Sequence, residues 1–146
     1  MVLSPRSPAP AADTVYEQLL ERVRYDGAYP TRERAEHAVR TVLEALGRQL
    51  TPAHRAELAT RLPAAAALHL GASAATAGPL TGHAFVNDVA ERTGTRPAVA
   101  RWDVGTVLSA IGRLVGEPLL SDLLRRLPPG YALLFGRAEL TAHRVA

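Results

Sequence analysis

The stretch TVLEALGRQL at residues 41–50 is repeated as TVLSAIGRLV at residues 106–115. A constant offset of 65 positions aligns residues 39–71 with residues 104–136 without a gap, and 14 of these 33 positions are identical. The identical residues of the first copy are Val39, Thr41, Val42, Leu43, Ala45, Gly47, Arg48, Leu58, Arg61, Leu62, Pro63, Ala67, Leu68 and Gly71. A bias toward Ala, Leu and Arg does not explain the shared Thr, Gly and Pro. The sequence therefore predicts an internal duplication.

Both copies have the apolar spacing of helices that are buried along one face. After Thr31, a residue that caps helices, the apolar positions follow the i, i+3, i+4, i+7 pattern. They are Ala35, Ala38, Val39, Val42, Leu43, Leu46 and Leu50. The other helices predicted in the first half are Asp13 or Thr14 to Arg24, Thr51 to about Leu62, and Pro63 to Leu70. In the second half we expect a helix around Phe85 and Val89, Arg96 to Val115, Glu117 to Leu127, and the closing segment PPGYALLF.

These patterns predict an all-α fold, a helical bundle of two pseudo-equivalent repeats of about four helices each. A chain of 146 residues is long enough for one domain with a sizeable core. We expect a single domain over residues 14–137, with a disordered N-terminal tail at 1–13 and a C-terminal tail at 138–146. Within the domain the predicted parts are repeat one at 14–71, a flexible linker rich in small residues at 72–82, and repeat two at 83–137.

The composition excludes several classes of function. The chain has no Cys, so disulfides, thiolate catalysis and Cys-based zinc sites are absent. Its net charge of +3 comes from Arg alone, and the Arg residues alternate with Asp and Glu instead of forming a basic block. Nucleic-acid binding is therefore disfavoured. The sequence shows no apolar signal region at its start and no stretch that could span a membrane, so we expect a cytoplasmic protein with no membrane partner.

The two long motifs resemble those of a known family. AVRTVLEALGRQL followed by ELATRLP, and DVGTVLSAIGRLV followed by DLLRRLP, look like the paired patterns of the bacterial domain-of-unknown-function family 2267. The resemblance covers about residues 14–137. It implies an all-helical protein of two similar halves and supplies no catalytic residues. The sequence departs from the usual pattern at Arg61 and Arg126, where the family often has Gln, and at Asp103 and Gly105.

Neither the histidines nor the carboxylates form a recognisable reactive site. The five histidines, at positions 37, 54, 69, 83 and 143, include no pair three or four residues apart, the spacing that a helical metal site needs. His37 and His69 correspond to Trp102 and Leu134 of the second copy, which predicts that both are partly buried packing residues. The favoured interpretation of the carboxylates is two helix ion pairs at corresponding places, Glu57 with Arg61 and Asp122 with Arg126.

The remaining candidates also point away from catalysis. Ser73, Ser109 and Ser121 lie in no nucleophile motif, and the glycines form no phosphate-binding loop. We predict no catalytic, cofactor-binding or metal-binding residues, and no cofactor. Gly47 and Gly112 recur inside predicted helices, where Gly is unfavourable, so we expect another helix to approach closely there.

The sequence predicts a non-enzymatic helical binding or regulatory module whose partner is another protein or a second copy of the chain. Two alternatives remain open: a small-ligand binder or enzyme that uses a groove between the halves, and a nucleic-acid-binding protein. For the partner site we predict Tyr131 and Phe135, aromatic where the first copy has Ala66 and Leu70. If one ring is partly exposed beside Arg126 and Arg137, the group resembles a protein interface; the alternative is that both rings fill gaps in the core.

Overall fold

The computed structural model describes residues 9–72 and 78–137, with side chains from residue 14 onward. This part of the chain forms eight helices and no β-strand, which confirms the all-α class. The helices are α1 (Ala9–Asp26), α2 (Arg32–Gln49), α3 (Pro52–Ala59), α4 (Ala64–Leu70), α5 (Gly82–Thr93), α6 (Pro97–Val115), α7 (Leu119–Arg126) and α8 (Tyr131–Leu134). The long helices α2 and α6 contact each other at the centre. The shorter helices pack around this pair, α3 chiefly through α4.

Helix α1 begins earlier than the sequence predicts. The predicted start is near Thr14, after a disordered tail, whereas the helix begins at Ala9. Pro10 lies in the first turn, where a missing N–H costs no helical hydrogen bond, and alanines follow it. Residues 1–8 and 138–146, the remainder of the predicted tails, lie outside the described residues.

Threonine side chains cap the N-termini of three helices. Thr31 Oγ1 accepts a hydrogen bond from the backbone N–H of Arg34 at 3.0 Å, and Thr51 Oγ1 accepts one from His54 at 3.1 Å. Both caps are at the positions that the sequence predicts. Thr81 caps α5 in the same way. Each cap satisfies one of the backbone donors that a helix leaves free at its first turn.

The core is built from the matching stripes of α2 and α6. Four residues of α2 and the four residues 65 positions later in α6 are all at most 1% exposed. They are Val39, Val42, Leu43 and Leu46, and Val104, Val107, Leu108 and Ile111. The predicted burial of both sets is confirmed. With one apolar stripe on each long helix facing the interior, separating α2 from α6 would expose both.

Gly47 marks a close approach of α4 to α2, as the sequence predicts. A Cβ atom at this position would lie 2.0 Å from the carbonyl oxygen of Leu70, the last residue of α4. No side chain fits there. At Gly112 the nearest atoms to such a Cβ are Leu120 Cδ2 at 3.1 Å and Phe135 Cδ1 at 3.4 Å, so the contact is with side chains and is less strict.

A buried polar group joins the α1–α2 turn to α6. The Tyr29 hydroxyl donates a 2.6 Å hydrogen bond to Asp103 Oδ1, and Arg34 forms a 3.0 Å ion pair with Asp103 Oδ2. Burial raises the pKa of Tyr29, and the hydrogen bond to Asp103 raises it further. The carboxylate of Asp103, which departs from the family pattern, is thus compensated by partners from the other half of the sequence.

The predicted flexible linker, residues 72–82, forms hydrogen bonds to two helices in its described segment 78–82. Gln49 Oε1 accepts a hydrogen bond from the N–H of Leu80 at 2.9 Å, and its Nε2 donates to the carbonyl of Gly78 at 3.3 Å. The Tyr131 hydroxyl donates to the carbonyl of Leu80 at 3.0 Å. These hydrogen bonds connect Gly78 and Leu80 to α2 and α8. The flexibility of the linker stays a prediction, and residues 73–77 lie outside the described part.

Neither predicted helix ion pair forms. Helix α3 ends at Ala59, three residues before the predicted end, so Arg61 lies beyond the helix. The guanidinium of Arg61 donates instead to the carbonyl of Val115 at the end of α6, at 3.2 Å. Asp122 pairs with Arg125 at 3.0 Å, one turn away, and not with Arg126.

The histidine predictions are half correct. His69 is partly buried, and its Nε2 lies 3.2 Å from the Tyr16 hydroxyl. His37 is exposed, contrary to prediction, because it lies on the face of α2 opposite the buried stripe. Its counterpart Trp102 is exposed on the outer face of α6 for the same reason.

Candidate protein-binding surface

The two aromatic residues that the sequence proposes for partner binding lie in the core. Tyr131 is 1% exposed and Phe135 5% exposed. The Tyr131 ring packs against Phe85 with ring centres 5.4 Å apart. The expectation of a partly exposed ring at either position is therefore wrong. Both rings fill interior space beside α5 and α6. The corresponding residues of the first half, Ala66 and Leu70, have smaller side chains.

The two arginines assigned to the same site do not accompany an exposed ring. Arg137 forms an ion pair with Glu117, and hydrogen bonds from Ser121 and then Arg137 hold the pKa of Glu117 below its usual range. Arg126 is exposed and has no ion pair within the described residues. A binding role for these residues stays a prediction without the exposed aromatic side chain that motivated it.

Trp102, the only tryptophan of the chain, is an exposed aromatic residue next to Arg101. It is 55% exposed on α6, and its Nε1 donates a 2.9 Å hydrogen bond to the carbonyl of Gly27 at the end of α1. This bond anchors one edge of the indole and leaves much of the ring open. A tryptophan held in this way presents apolar area at little further entropy cost.

A cavity of about 480 Å³ lies beside α6, between α5 and the start of α8. Its apolar wall includes Val86, Ala98 and Leu133, and Leu133 is itself 56% exposed. Helices α5 and α8 meet at its edge through Gly82 and Gly130, where a Cβ on Gly82 would lie 2.7 Å from the carbonyl carbon of Gly130. The absence of side chains at this contact brings α8, and with it Leu133, against α5.

A second cavity of about 400 Å³ continues along α6. It is lined by Trp102, by the small residues Gly105 and Ser109, and by Arg113. The two cavities share three residues, Ala98, Arg101 and Leu133, and so form one continuous area. We call the area formed by Val86, Ala98, Arg101, Trp102, Gly105 and Leu133 the Trp102 surface.

The Trp102 surface carries an uncompensated positive charge. Arg113, which lines the second cavity beside this surface, is paired with Asp26 at 3.0 Å. Arg101, at its centre, is exposed and has no ion pair or hydrogen-bond partner among residues 14–72 and 78–137. The surface therefore combines two exposed apolar side chains with one free guanidinium.

A smaller cavity lies between the two halves of the sequence. It has a volume of about 150 Å³ and lies between α2 and α5, with Arg48, Glu44 and Arg92 in its wall. Arg48 is only 9% exposed, and its Nη2 lies 3.6 Å from Asp88. Asp88 pairs with both Arg48 and Arg92 and so offsets part of their charge, and the space holds only a few atoms.

Sequence reasoning missed Trp102 because it treated this residue as the packing counterpart of His37. The sequence nevertheless contains a pattern that indicates an exposed position for Trp102. On α6 small residues stand at the i−4, i+3 and i+7 positions relative to Trp102, namely Ala98, Gly105 and Ser109. They lie on the same helix face as the only tryptophan, which is the pattern of a groove beside an exposed ring.

The match to a known protein family covers every helix that forms the Trp102 surface. The sequence profile of the uncharacterized conserved protein family DUF2267 matches residues 16–134. The chain therefore belongs to the DUF2267 family. No curated protein sequence matches it significantly. The DUF2267 match includes both long helices and nearly all the described residues. Among those residues, no helix is both long enough and apolar enough to cross a membrane.

Proposed function

We propose that this protein is a non-enzymatic binding module and that its partner is another protein that docks on the Trp102 surface. The observation that carries the proposal is the exposure of Trp102 and Leu133 on one continuous pair of cavities. Tryptophan and arginine are enriched among the residues that dominate binding energy at protein interfaces. The cytoplasmic location and the absence of a cofactor remain sequence-based predictions within this proposal.

The chemistry of the surface favours an acidic partner segment with apolar side chains. Apolar groups of the partner would cover Trp102 and Leu133 and fill the two cavities. A carboxylate of the partner would pair with Arg101, which has no counter-charge among the described residues. A second copy of the chain is the other occupant to be tested.

The alternatives have less support from the structure. For a ligand site in a groove between the halves, the cavity there is small: it has about 150 Å³, whereas ligand sites usually enclose about 300–1,000 Å³. Nine of the fifteen arginines in the described ranges form ion pairs with carboxylates, so most of the positive charge that nucleic acid would need is locally neutralised. The ion-paired arginines are Arg22, Arg24, Arg32, Arg34, Arg48, Arg92, Arg113, Arg125 and Arg137.

The proposal is tested by capturing partners from an extract of the source organism with the purified chain and three variants. The variants Trp102→Ala and Leu133→Ala remove the two exposed apolar groups of the surface. Leu68→Ala is the matched control, because Leu68 occupies the position equivalent to Leu133 in the first half and is 74% exposed. We expect a partner whose recovery depends on Trp102 and Leu133 and is unaffected at position 68.

Binding of a tryptophan-free segment of the purified partner is then measured by the fluorescence of Trp102, the only tryptophan of the chain. We expect the emission of Trp102 to shift to the blue on binding. The Kd of Trp102→Ala should be at least about 30-fold weaker, because the lost side chain contributes about 2 kcal/mol. Since this variant has no tryptophan, its Kd is measured by calorimetry. Sedimentation equilibrium tests a second copy as the occupant. Equal recovery of every partner by all variants, with unchanged fluorescence, contradicts the proposal.

A further inference from the structure

Three side chains with metal-ligating atoms converge between α3 and α7, away from the Trp102 surface. His54 and Glu57 lie one turn apart on α3, and Asp122 lies on α7 in the other half of the sequence. One ligand atom from each residue lies within 4.8 Å of the others. Glu57 and Asp122 occupy equivalent positions, 65 residues apart, so the duplication places two carboxylates at one point.

The contacts of His54 orient its ring for ligation. Thr51 Oγ1 lies 3.1 Å from Nδ1, whereas the other ring nitrogen, Nε2, faces Asp122. In the tautomer that donates this hydrogen bond from Nδ1, the lone pair of Nε2 is free, and Nε2 lies 3.5 Å from Asp122 Oδ2. Histidine ligands of metals generally have their second nitrogen held by such an outer hydrogen bond. The His54 side chain is 13% exposed, which restricts its movement.

The two carboxylates leave oxygen atoms available at the same point. Asp122 uses Oδ1 for its ion pair with Arg125, and its Oδ2 faces His54. Glu57 has no ion pair for its carboxylate within the described residues and is exposed, so its side chain can rotate toward the other two. Neighbouring carboxylates repel each other, and a cation between them removes that repulsion.

We propose that His54 Nε2, Glu57 and Asp122 bind a divalent transition-metal ion, with Zn²⁺ as the best match. An imidazole nitrogen with two carboxylate oxygens suits Zn²⁺ and its neighbours in the first transition row, whereas Mg²⁺ and Ca²⁺ prefer oxygen ligands alone. Closing the side chains to bonding distances of about 2.0–2.2 Å completes three protein ligands and leaves the fourth position to water. The ion would link α3 to α7 and so fasten the two halves at this end. The site is independent of the proposed partner surface.

The test uses the full chain after treatment with a chelator. Isothermal titration calorimetry with ZnCl₂ is expected to show one saturable site, and Zn²⁺ is expected to raise the Tm. His54→Gln and Asp122→Asn should each weaken Zn²⁺ binding at least about ten-fold. His83→Gln is the matched control, because it removes an exposed histidine from α5, outside the cluster. MgCl₂ in place of ZnCl₂ should give a much weaker response.

Glu57→Gln is a second probe, since an exposed carboxylate can be changed without disturbing the core. It should also weaken Zn²⁺ binding while leaving the circular dichroism spectrum of the metal-free protein unchanged. Zn²⁺ binding of equal affinity in the wild type and in all three ligand variants would overturn the proposal, as would the absence of saturable binding to the wild type.

Discussion

Arg48 and Arg113 stand 65 positions apart, and each forms an ion pair with an aspartate from the other half of the sequence. Arg48 Nη2 on α2 lies 3.6 Å from Asp88 on α5, and Arg113 Nη2 on α6 lies 3.0 Å from Asp26 on α1. The long helix of each half thus contacts the first helix of the other through the same arginine. The two pairs differ mainly in burial, since Arg48 is almost enclosed and Arg113 is exposed.

This difference predicts unequal effects on stability. Arg48→Ala should lower the free energy of unfolding by about 2 kcal/mol, because it leaves Asp88 half-buried with less compensating charge and removes a packed aliphatic stem. Arg113→Ala should lower it by less than about 1 kcal/mol, because its pair is solvated. Urea unfolding followed by circular dichroism measures both variants. Equal losses would show that burial does not distinguish the two pairs.

Replacing glycine by alanine is expected to change the free energy of unfolding in opposite directions at Gly47 and Gly105. Gly47→Ala would place a Cβ 2.0 Å from the carbonyl oxygen of Leu70 and force α4 away from α2. We expect it to lower the free energy of unfolding by about 3 kcal/mol. Gly105→Ala, in α6, meets no atom within 4 Å and should raise that free energy by up to about 1 kcal/mol, because Ala is the better helix former. Denaturant midpoints that fall equally in both variants would contradict the close approach at Gly47.

The surroundings of His69 predict a dependence of stability on pH. Burial lowers the pKa of His69 from its ordinary value of 6.5, and the charge of Arg40 lowers it further, against smaller opposing effects of Glu44 and Glu36. The unfolded chain therefore binds this proton more readily than the folded one. The stabilisation is present above the unfolded pKa and is lost as the pH falls from about 6.5 through the lower folded value.

Unfolding free energies at about pH 7.5 and about pH 5.5 test this expectation. The wild type should lose more stability on acidification than His69→Leu, which carries the residue found at the equivalent position 134. Leu68→Ala, a change at the exposed neighbour on α4, should retain the wild-type loss. An equal loss of stability in His69→Leu and in the wild type would assign the pH dependence to other groups.

Neither half is expected to fold alone. Separation would expose the stripes of both long helices and would leave Asp103 without Tyr29 and Arg34. A segment of about 70 residues with so small a core cannot offset its chain entropy. Residues 1–76 and 77–146, expressed separately, should show little cooperative melting by circular dichroism. A sharp thermal transition in either fragment would refute this.

The sequence alone determines the all-α class, the caps at Thr31 and Thr51, and the buried faces of the long helices. These features depend on neighbours within about one or two helical turns, so the spacing of residues along the chain contains the necessary information. The close approach at Gly47 was also predictable, because a glycine inside a helix and again 65 positions later is costly without a packing reason.

Only the tertiary structure decided which aromatic side chains are exposed and which charged groups meet. Tyr131 is buried because α8 is held against α5, with Gly82 beside Gly130, and Trp102 is exposed because no described helix covers that face of α6. The cluster of His54, Glu57 and Asp122 likewise requires helices from both halves. The burial of a helix face depends on what packs against it, and contacts between residues far apart in sequence leave no periodic signal in either segment.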